Sequence, residues 1–333
     1  MRLSDYLHQH LPRVWQGRGP LAWALRPVAA VYGALTRLRR MAYAAGLFKT
    51  RRVPALVIVV GNVVAGGAGK TPVTIALARH LLASGWQVGV ISRGHGRKTH
   101  DARAVTHHSH PLDVGDEPLL IHQATGVPVW VARARVDAAL GLLQAHPAVQ
   151  ILICDDGLQH LALARDIEIC VMDERGVGNG WLLPAGPLRE AWPRPVDCVV
   201  HTGPAILGGR PAGHYQAPRQ LAEHALTSDG QQLALSTLTQ RPLHAVAGLA
   251  RPEAFFDMLR QSGLQLSSTT ALPDHCDYED WTAQPDLTWV CTEKDAAKLW
   301  RHEPGALAVP LVITPEDGFW SALDARIAQL LQR

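Results

Sequence analysis

Cysteine is scarce. The chain holds five in 333 residues (Cys154, Cys170, Cys198, Cys276 and Cys291), an odd number with no Cys-x-x-Cys pair. A disulfide framework is therefore not expected, and a reducing cytoplasm fits better than secretion. The first 20 residues lack a continuous apolar core, so no secretory signal is expected. Charge is sparse at 18%, but apolar content of 47% excludes a disordered chain. Within the N-terminal segment the longest uncharged run is 27–36, far short of the ~20 apolar residues a spanning helix needs. There is no internal repeat. No nucleic-acid-binding signature accompanies the basic residues, so no nucleic-acid partner is expected.

The charge that is present is uneven. Residues 1–52 hold ten Lys and Arg against one acid, Asp5, while the remainder holds 22 basic and 28 acidic residues. From Pro20 to about Ala45 the period is helical. Leu21, Leu25, Val28, Tyr32 and Leu35 fall on one side and Arg26, Arg37 and Arg40 on the other. Pro27 is expected to start or kink this helix. A basic amphipathic helix either lies on an anionic membrane surface or packs on its own domain.

Residues 57–74 read VIVVGNVVAGGAGKTPVT. An apolar β-branched run predicts a buried strand, Gly66, Gly67 and Gly69 a glycine loop, and Pro72 the first turn of a helix. Strand, glycine loop, Lys70-Thr71 and helix form a phosphate cradle. Loop N–H groups and a helix N-terminus face the anion, Lys70 reaches the β- and γ-phosphates, and the Thr71 hydroxyl takes Mg²⁺. The strict pattern places a first glycine where Val64 stands. Ala65 stands where membrane-associated partitioning ATPases carry a lysine, which counts against an NTPase switch. A soluble small-molecule kinase or ligase is the other alternative.

Strands expected at 87–92, 127–131, 150–154, 167–172 and 197–201 alternate with helices, which means a parallel sheet covered on both faces. Asp155-Asp156-Gly157 closes one strand at its carboxyl end, where a magnesium ligand is needed; a plain Asp/Gly turn is the other reading. His100, His107, His108 and His110 cluster in a polar loop without partners at zinc spacing. The stretch 178–194 is too apolar for an idle loop and reads as a binding surface. After a polar linker with a possible hairpin, α/β alternation resumes, with strands at 243–247, 288–291 and 308–313 and helices at 252–261, 295–300 and 319–331.

Seven blocks occur in order: G-N-x-x-x-G-G-x-G-K-T-P (61–72), S-R-G-x-G-R (92–97), G-D-E-P (115–118), D-D-G-x-Q-H (155–160), G-N-G-W-L-L-P-A-G-P-L-R-E (178–190), P-D-H-x-x-Y (273–278) and T-E-K-D-A-x-K (292–298). Together they closely resemble the tetraacyldisaccharide 4'-kinase family of lipid A biosynthesis, which shares the departure at Val64. The resemblance implies ATP and Mg²⁺ as cofactors and γ-phosphate transfer to the 4'-hydroxyl of an acylated disaccharide 1-phosphate. It implies a P-loop NTPase-type, mostly parallel α/β domain with helices on both faces, plus a second, smaller α/β domain joined by a β-stranded linker. The expected divisions are 1–52, a membrane-surface helical region, 53–208, the kinase core, 209–241, the linker, and 242–333, the smaller domain. A peripheral place on the cytoplasmic face of the inner membrane is implied, with no obligate protein partner inferred.

By the same resemblance Asp116 is the catalytic aspartate and His275 the histidine that pairs with it. Val64, Ala65, Gly66, Gly67, Ala68, Gly69, Lys70 and Thr71 bind the nucleotide. Thr71 with Asp155 or Asp156 holds the metal. Arg135 and Arg189 match arginines near the reacting groups, and Gln159, His160 and Glu190 are their neighbours. Arg93 and Arg97 are further candidates for facing substrate.

Overall fold

β1 (Leu56–Gly61) is buried along its whole length. Val57 and Val59 enter one core and Ile58 and Val60 another, because successive side chains leave opposite faces of a strand. Such a strand belongs in the middle of a covered sheet. The computed structural model describes residues 11, 14–203, 213–274, 276–282, 284 and 286–332.

β1 pairs in parallel with β5 (Ile151–Asp155) and β6 (Ile167–Met172). With β2 (Val88–Ser92), β3 (Arg103–Val105), β4 (Val129–Val131), β7 (Cys198–His201) and β8 (His214–Gln216), the sheet runs β3–β4–β2–β5–β1–β6–β7–β8. Within this sheet only the edge pair β3–β4 is antiparallel among the described residues. α3 (Lys70–Ala83) and α5 (Asp116–Thr125) pack on one face through Leu77, Leu81 and Ile121. α6 (Arg135–Ala145) packs on the other through Ala138, Ala139 and Leu142.

The second sheet contains β10 (His224–Leu226), β11 (Gln232–Ala234), β12 (Leu243–Gly248), β13 (Leu266–Leu272), β14 (Thr288–Thr292) and β15 (Leu307–Val309), in the order β11–β10–β15–β14–β12–β13. α7 (Pro252–Gln261) covers one face through Phe255, Phe256 and Leu259. α8 (Glu293–Leu299) covers the other through Ala296 and Leu299.

The expected strand 308–313 is two strands. Pro310 breaks it: a proline has no N–H for a ladder and fixes its own φ. β16 (Leu311–Ile313) leaves the second sheet and pairs with β9 (Arg219–Leu221). The described part of the expected linker, residues 213–241, is thus shared out, with β8 in the first sheet, β9 in this two-stranded link and β10–β11 in the second sheet. The last helix, α9 (Asp317–Leu331), buries Phe319, Leu323 and Ile327 in the core of the first sheet. The stretch 242–333 is therefore not one unit.

At the N-terminus, α1 (Pro20–Ala24) and α2 (Arg26–Ala44) meet at Leu25, with Pro27 in the first turn of α2. No described helix is long and apolar enough to cross a membrane. The apolar loop 178–190 seats these helices. Trp181 packs edge-on against Trp23 at 4.9 Å, Arg26 lies 4.5 Å over the Trp181 ring, and a Cβ on Gly33 would stand 2.7 Å from Leu182. The binding surface expected there is occupied by the chain's own helices.

Glu293 opens α8, and burial pushes its carboxyl from 4.5 up to about 7, with the charge of Arg79 opposing. The folded state thus holds a proton that the unfolded chain releases, so the stability of the neutral form is complete below about pH 4.5 and is lost as pH rises towards 7. Glu293→Gln should abolish this slope. In urea melts it should match the parent near pH 4 and exceed it by about 3 kcal/mol near pH 8.

Candidate active site

The loop after β1 is shaped from outside. Gly66 and Gly69 take φ of 91° and 84°, open to glycine without strain. The carbonyls of five consecutive residues are each held by a donor. The Asn62 amide donates to Val64 O at 2.8 Å and Gly66 O at 3.3 Å. The Arg175 guanidinium donates to Ala65 O at 3.3 Å and Gly67 O at 2.8 Å, and Thr202 Oγ1 to Ala68 O at 3.1 Å. Buried Asp173 aims Arg175, with Nε 2.8 Å from Oδ2. Ala65 N is spent on Pro187 O at 2.8 Å; with the loop carbonyls tied back, other N–H groups of the loop can serve an anion.

Lys70 begins α3 and is buried. Its Nζ lies 3.2 Å from Asn62 Oδ1 and 3.6 Å from Asp156 Oδ1. Thr71 follows in the same helical turn. Asp156 has a left-handed backbone (φ 47°) and takes Arg189 Nη1 at 3.0 and 3.2 Å. Burial alone would raise its carboxyl, but Lys70, Arg189 and Arg135 together hold it below the usual range. Asp155 ends β5, fully enclosed, and accepts from Thr74 Oγ1 at 3.3 Å and Ser92 Oγ at 3.4 Å. It is pushed up to about 7, first by burial and then by the charges of Glu117 and Asp156, against Lys70 and Arg135. Arg135 pins this turn, donating Nη2 to the carbonyls of Asp155 at 3.2 Å and Asp156 at 3.0 Å.

Gln159, His160 and Glu190 use their polar atoms within the protein. Gln159 Nε2 donates to Asn62 O at 3.0 Å and Glu190 Oε1 at 2.7 Å. Buried Glu190 also meets Arg194 Nε at 3.0 Å and Arg40 at 2.5 Å. His160 Nε2 accepts the Arg135 N–H at 3.2 Å, closing the first turn of α6. Burial, then the arginines 135, 165, 39 and 93, lower this imidazole to about 4, which keeps it neutral and able to accept. α2 grips the same group: Tyr32 donates to Arg189 O at 2.7 Å and Arg39 to Gln159 O at 3.3 Å.

Asp116 is the first residue of α5, where the helix N-terminus favours a carboxylate. Gly115 before it has φ 93°, and a Cβ there would stand 3.0 Å from the backbone of Gly94, so the blocks at 92–97 and 115–118 are in contact. The charge of its neighbour Glu117 is felt at Asp155. Lys298 Nζ, from α8, reaches Asp116 Oδ2 at 2.7 Å and Cys276 O at 3.1 Å. His275 lies outside the described residues. On its other side Asp274 receives Lys294 Nζ at 2.8 Å.

The structure thus gathers Lys70, Asp155, Asp156, Arg135, Arg189 and Asp116 at one end of the first sheet. It leaves Arg97 tied to the Asp101 carbonyl at 2.9 Å. In the histidine loop, His110 Nδ1 accepts from Leu112 N at 3.1 Å, starting α4 (Pro111–Val114), and among the described residues no group of three or more His, Cys, Asp and Glu side chains is placed to hold a metal ion. Sequence reasoning missed the roles of Asn62, Arg175 and Lys298. Asn62 and Lys298 stand inside the ordered blocks, whereas nothing around Arg175 marks it.

A family model described as Tetraacyldisaccharide-1-P 4'-kinase matches residues 21–328. The Tetraacyldisaccharide 4'-kinase of Acidovorax sp. (strain JS42) is 57% identical over 326 residues, 97% of this chain and 96% of that one. The protein of the same name from Delftia acidovorans (strain DSM 14801 / SPH-1) is 51% identical over 323 residues, 96% and 95% of the two chains. The crystal structure of LpxK from Aquifex aeolicus in complex with ATP matches with a TM-score of 0.80 at 28% identity, covering 93% of this chain and 99% of that one. The family model spans the loop at 61–72, Asp116 and α8: the chain belongs to the tetraacyldisaccharide-1-P 4'-kinase family.

Proposed function

We propose that this protein transfers the γ-phosphoryl group of ATP to the 4'-hydroxyl of a tetraacyl disaccharide 1-phosphate. The observations that carry the reading are a loop with its carbonyls tied back, ending in buried Lys70, and an acid, Asp116, at the start of α5, held by Lys298 of the second domain. A sugar hydroxyl is a weak nucleophile, so a positioned base is needed. The Asp116 carboxylate accepts the hydroxyl proton as that oxygen attacks the γ-phosphorus. The bond to the bridging oxygen breaks and ADP leaves. Lys70 and Arg189 neutralise phosphate charge. His275 orients the base; this is supported by Lys298, which bridges Asp116 and the carbonyl of the residue after His275.

Thr71, Asp155 and Asp156 are hard oxygen donors and fit Mg²⁺. Asp155 bears on that fit. It is enclosed, its hydroxyl contacts are 3.3 and 3.4 Å, and it is raised to about 7, as befits a carboxylate built for a cation. When bound, the ion neutralises charge on the β- and γ-phosphates.

Incubation with γ-labelled ATP should label the acylated disaccharide. Phosphate release at the same rate with and without the lipid would instead favour an NTPase switch.

The outward side of α2 carries Val28, Val31, Leu35, Leu38 and Met41, each more than half exposed, while Ala29 and Tyr32 face the protein. With the basic charge of this region, that stripe fits a peripheral seat on the cytoplasmic face of the inner membrane. Val31→Glu/Leu35→Glu/Leu38→Glu should abolish flotation with anionic phospholipid vesicles and leave the melting temperature unchanged. Flotation equal to the parent would place the membrane contact elsewhere.

A further inference from the structure

We infer that Lys298 is a positioning residue for the base. Its ammonium, delivered from the second domain, fixes the Asp116 carboxylate in the orientation that proton transfer needs. The inference rests on reading Asp116 as that base.

α8 is held rigidly before it reaches the site. Thr292 caps it, accepting from Asp295 N at 3.2 Å and donating to Asp295 Oδ2 at 2.6 Å. The same carboxylate accepts from Gly248 N at 3.1 Å, which locks the start of α8 to the end of β12. Ala296 and Leu299 are buried beneath it. Lys298 follows in the last turn, so its long side chain leaves a fixed helix. The Lys298 and Asp116 side chains are 10% and 7% exposed. A flexible surface pair gives little orientation, but this pair is enclosed and short. The second hydrogen bond, to Cys276 O, fixes the ammonium itself. A general base works within about 3 Å of its proton and in one orientation. Because Asp116 lies on α5 of the first domain and Lys298 on α8 of the second, the base is set only when the two domains are docked.

An ion pair that merely glued the domains together would look similar, so the test must read the reaction. Lys298→Met should lower kcat by about 50-fold and leave KM for ATP within about twofold, since the nucleotide loop is untouched. Lys298→Arg, which keeps the charge, should restore most of the loss. In an Asp116→Asn background, Lys298→Met should cost no further kcat, because a residue acting only through Asp116 has nothing left to position. Removing both charges also avoids a buried unpaired carboxylate, so the double variant folds even where the single one is weakened. If Lys298→Met destabilises too far, Lys298→Gln takes its place in the same comparison. Equal losses in both backgrounds, or a fall in melting temperature with kcat unchanged, would overturn the inference while leaving Asp116 as the base. Full activity of Asp116→Asn would overturn the reading of the base and this inference with it.

Discussion

Asp116→Asn is expected to lower kcat by about a thousandfold, the size of effect that a positioned general base supplies. The substitution is nearly isosteric. An asparagine oxygen still accepts from Lys298 and the side chain still suits the first turn of α5. What disappears is the ability to take a proton. KM for ATP should not move, because the loop carbonyls are held by Asn62, Arg175 and Thr202, none of which touches Asp116. Steady-state rates over a range of ATP, with circular dichroism to establish folding, would check this. A loss confined to KM would instead make Asp116 a binding residue.

Lys70→Met is expected to be comparably severe, with kcat/KM for ATP down by about a thousandfold or more. Unlike the change at Asp116, it should weaken ATP binding as well as turnover, because the ammonium meets phosphate in the ground state and the transition state alike. The fold should survive, since Asp156 keeps Arg189 at 3.0 Å. Asn62 would lose one partner and retain Val64 and Gly66. Equilibrium titration with ATP beside turnover assays separates the two components. Unchanged ATP affinity would mean that Lys70 acts in the transition state alone.

The parts of this molecule that chemistry dictates locally were legible. Valine and isoleucine runs place β1, β2, β5, β6 and β7 within a residue or so of their observed ends, because a strand buried on both faces has no other composition. The glycine loop that ends at Lys70 and Thr71 was legible as a loop between strand and helix, because the glycines interrupt an apolar run and a helical pattern follows. What the sequence hid depends on partners far along the chain. The loop is held from outside by Arg175 and Thr202, over a hundred residues away, and no local pattern reports that. β13 is polar and half exposed at a sheet edge, so it lacks the apolar run that marks a strand. α9 has an ordinary amphipathic pattern, which says that it packs but not on which sheet. The stripe on α2 divides differently from its helical period, with Tyr32 turned to Arg189 and Leu35 outwards, because the 178–190 loop chooses the covered side. His160 caps α6 and Glu190 anchors α2, contacts with partners far along the chain that no local pattern reports.

The central claim is that the nucleotide held at Lys70 and the alcohol deprotonated at Asp116 meet in one crevice, which fixes where the new phosphate goes. The most direct measurement is to isolate the lipid product of a reaction with ATP and tetraacyl disaccharide 1-phosphate and locate the added phosphate by mass spectrometry and phosphorus NMR. A single new monoester at the 4'-position is the expected result. Phosphate at any other hydroxyl, a diphosphate built on the 1-phosphate, or no lipid product beside ADP would contradict it.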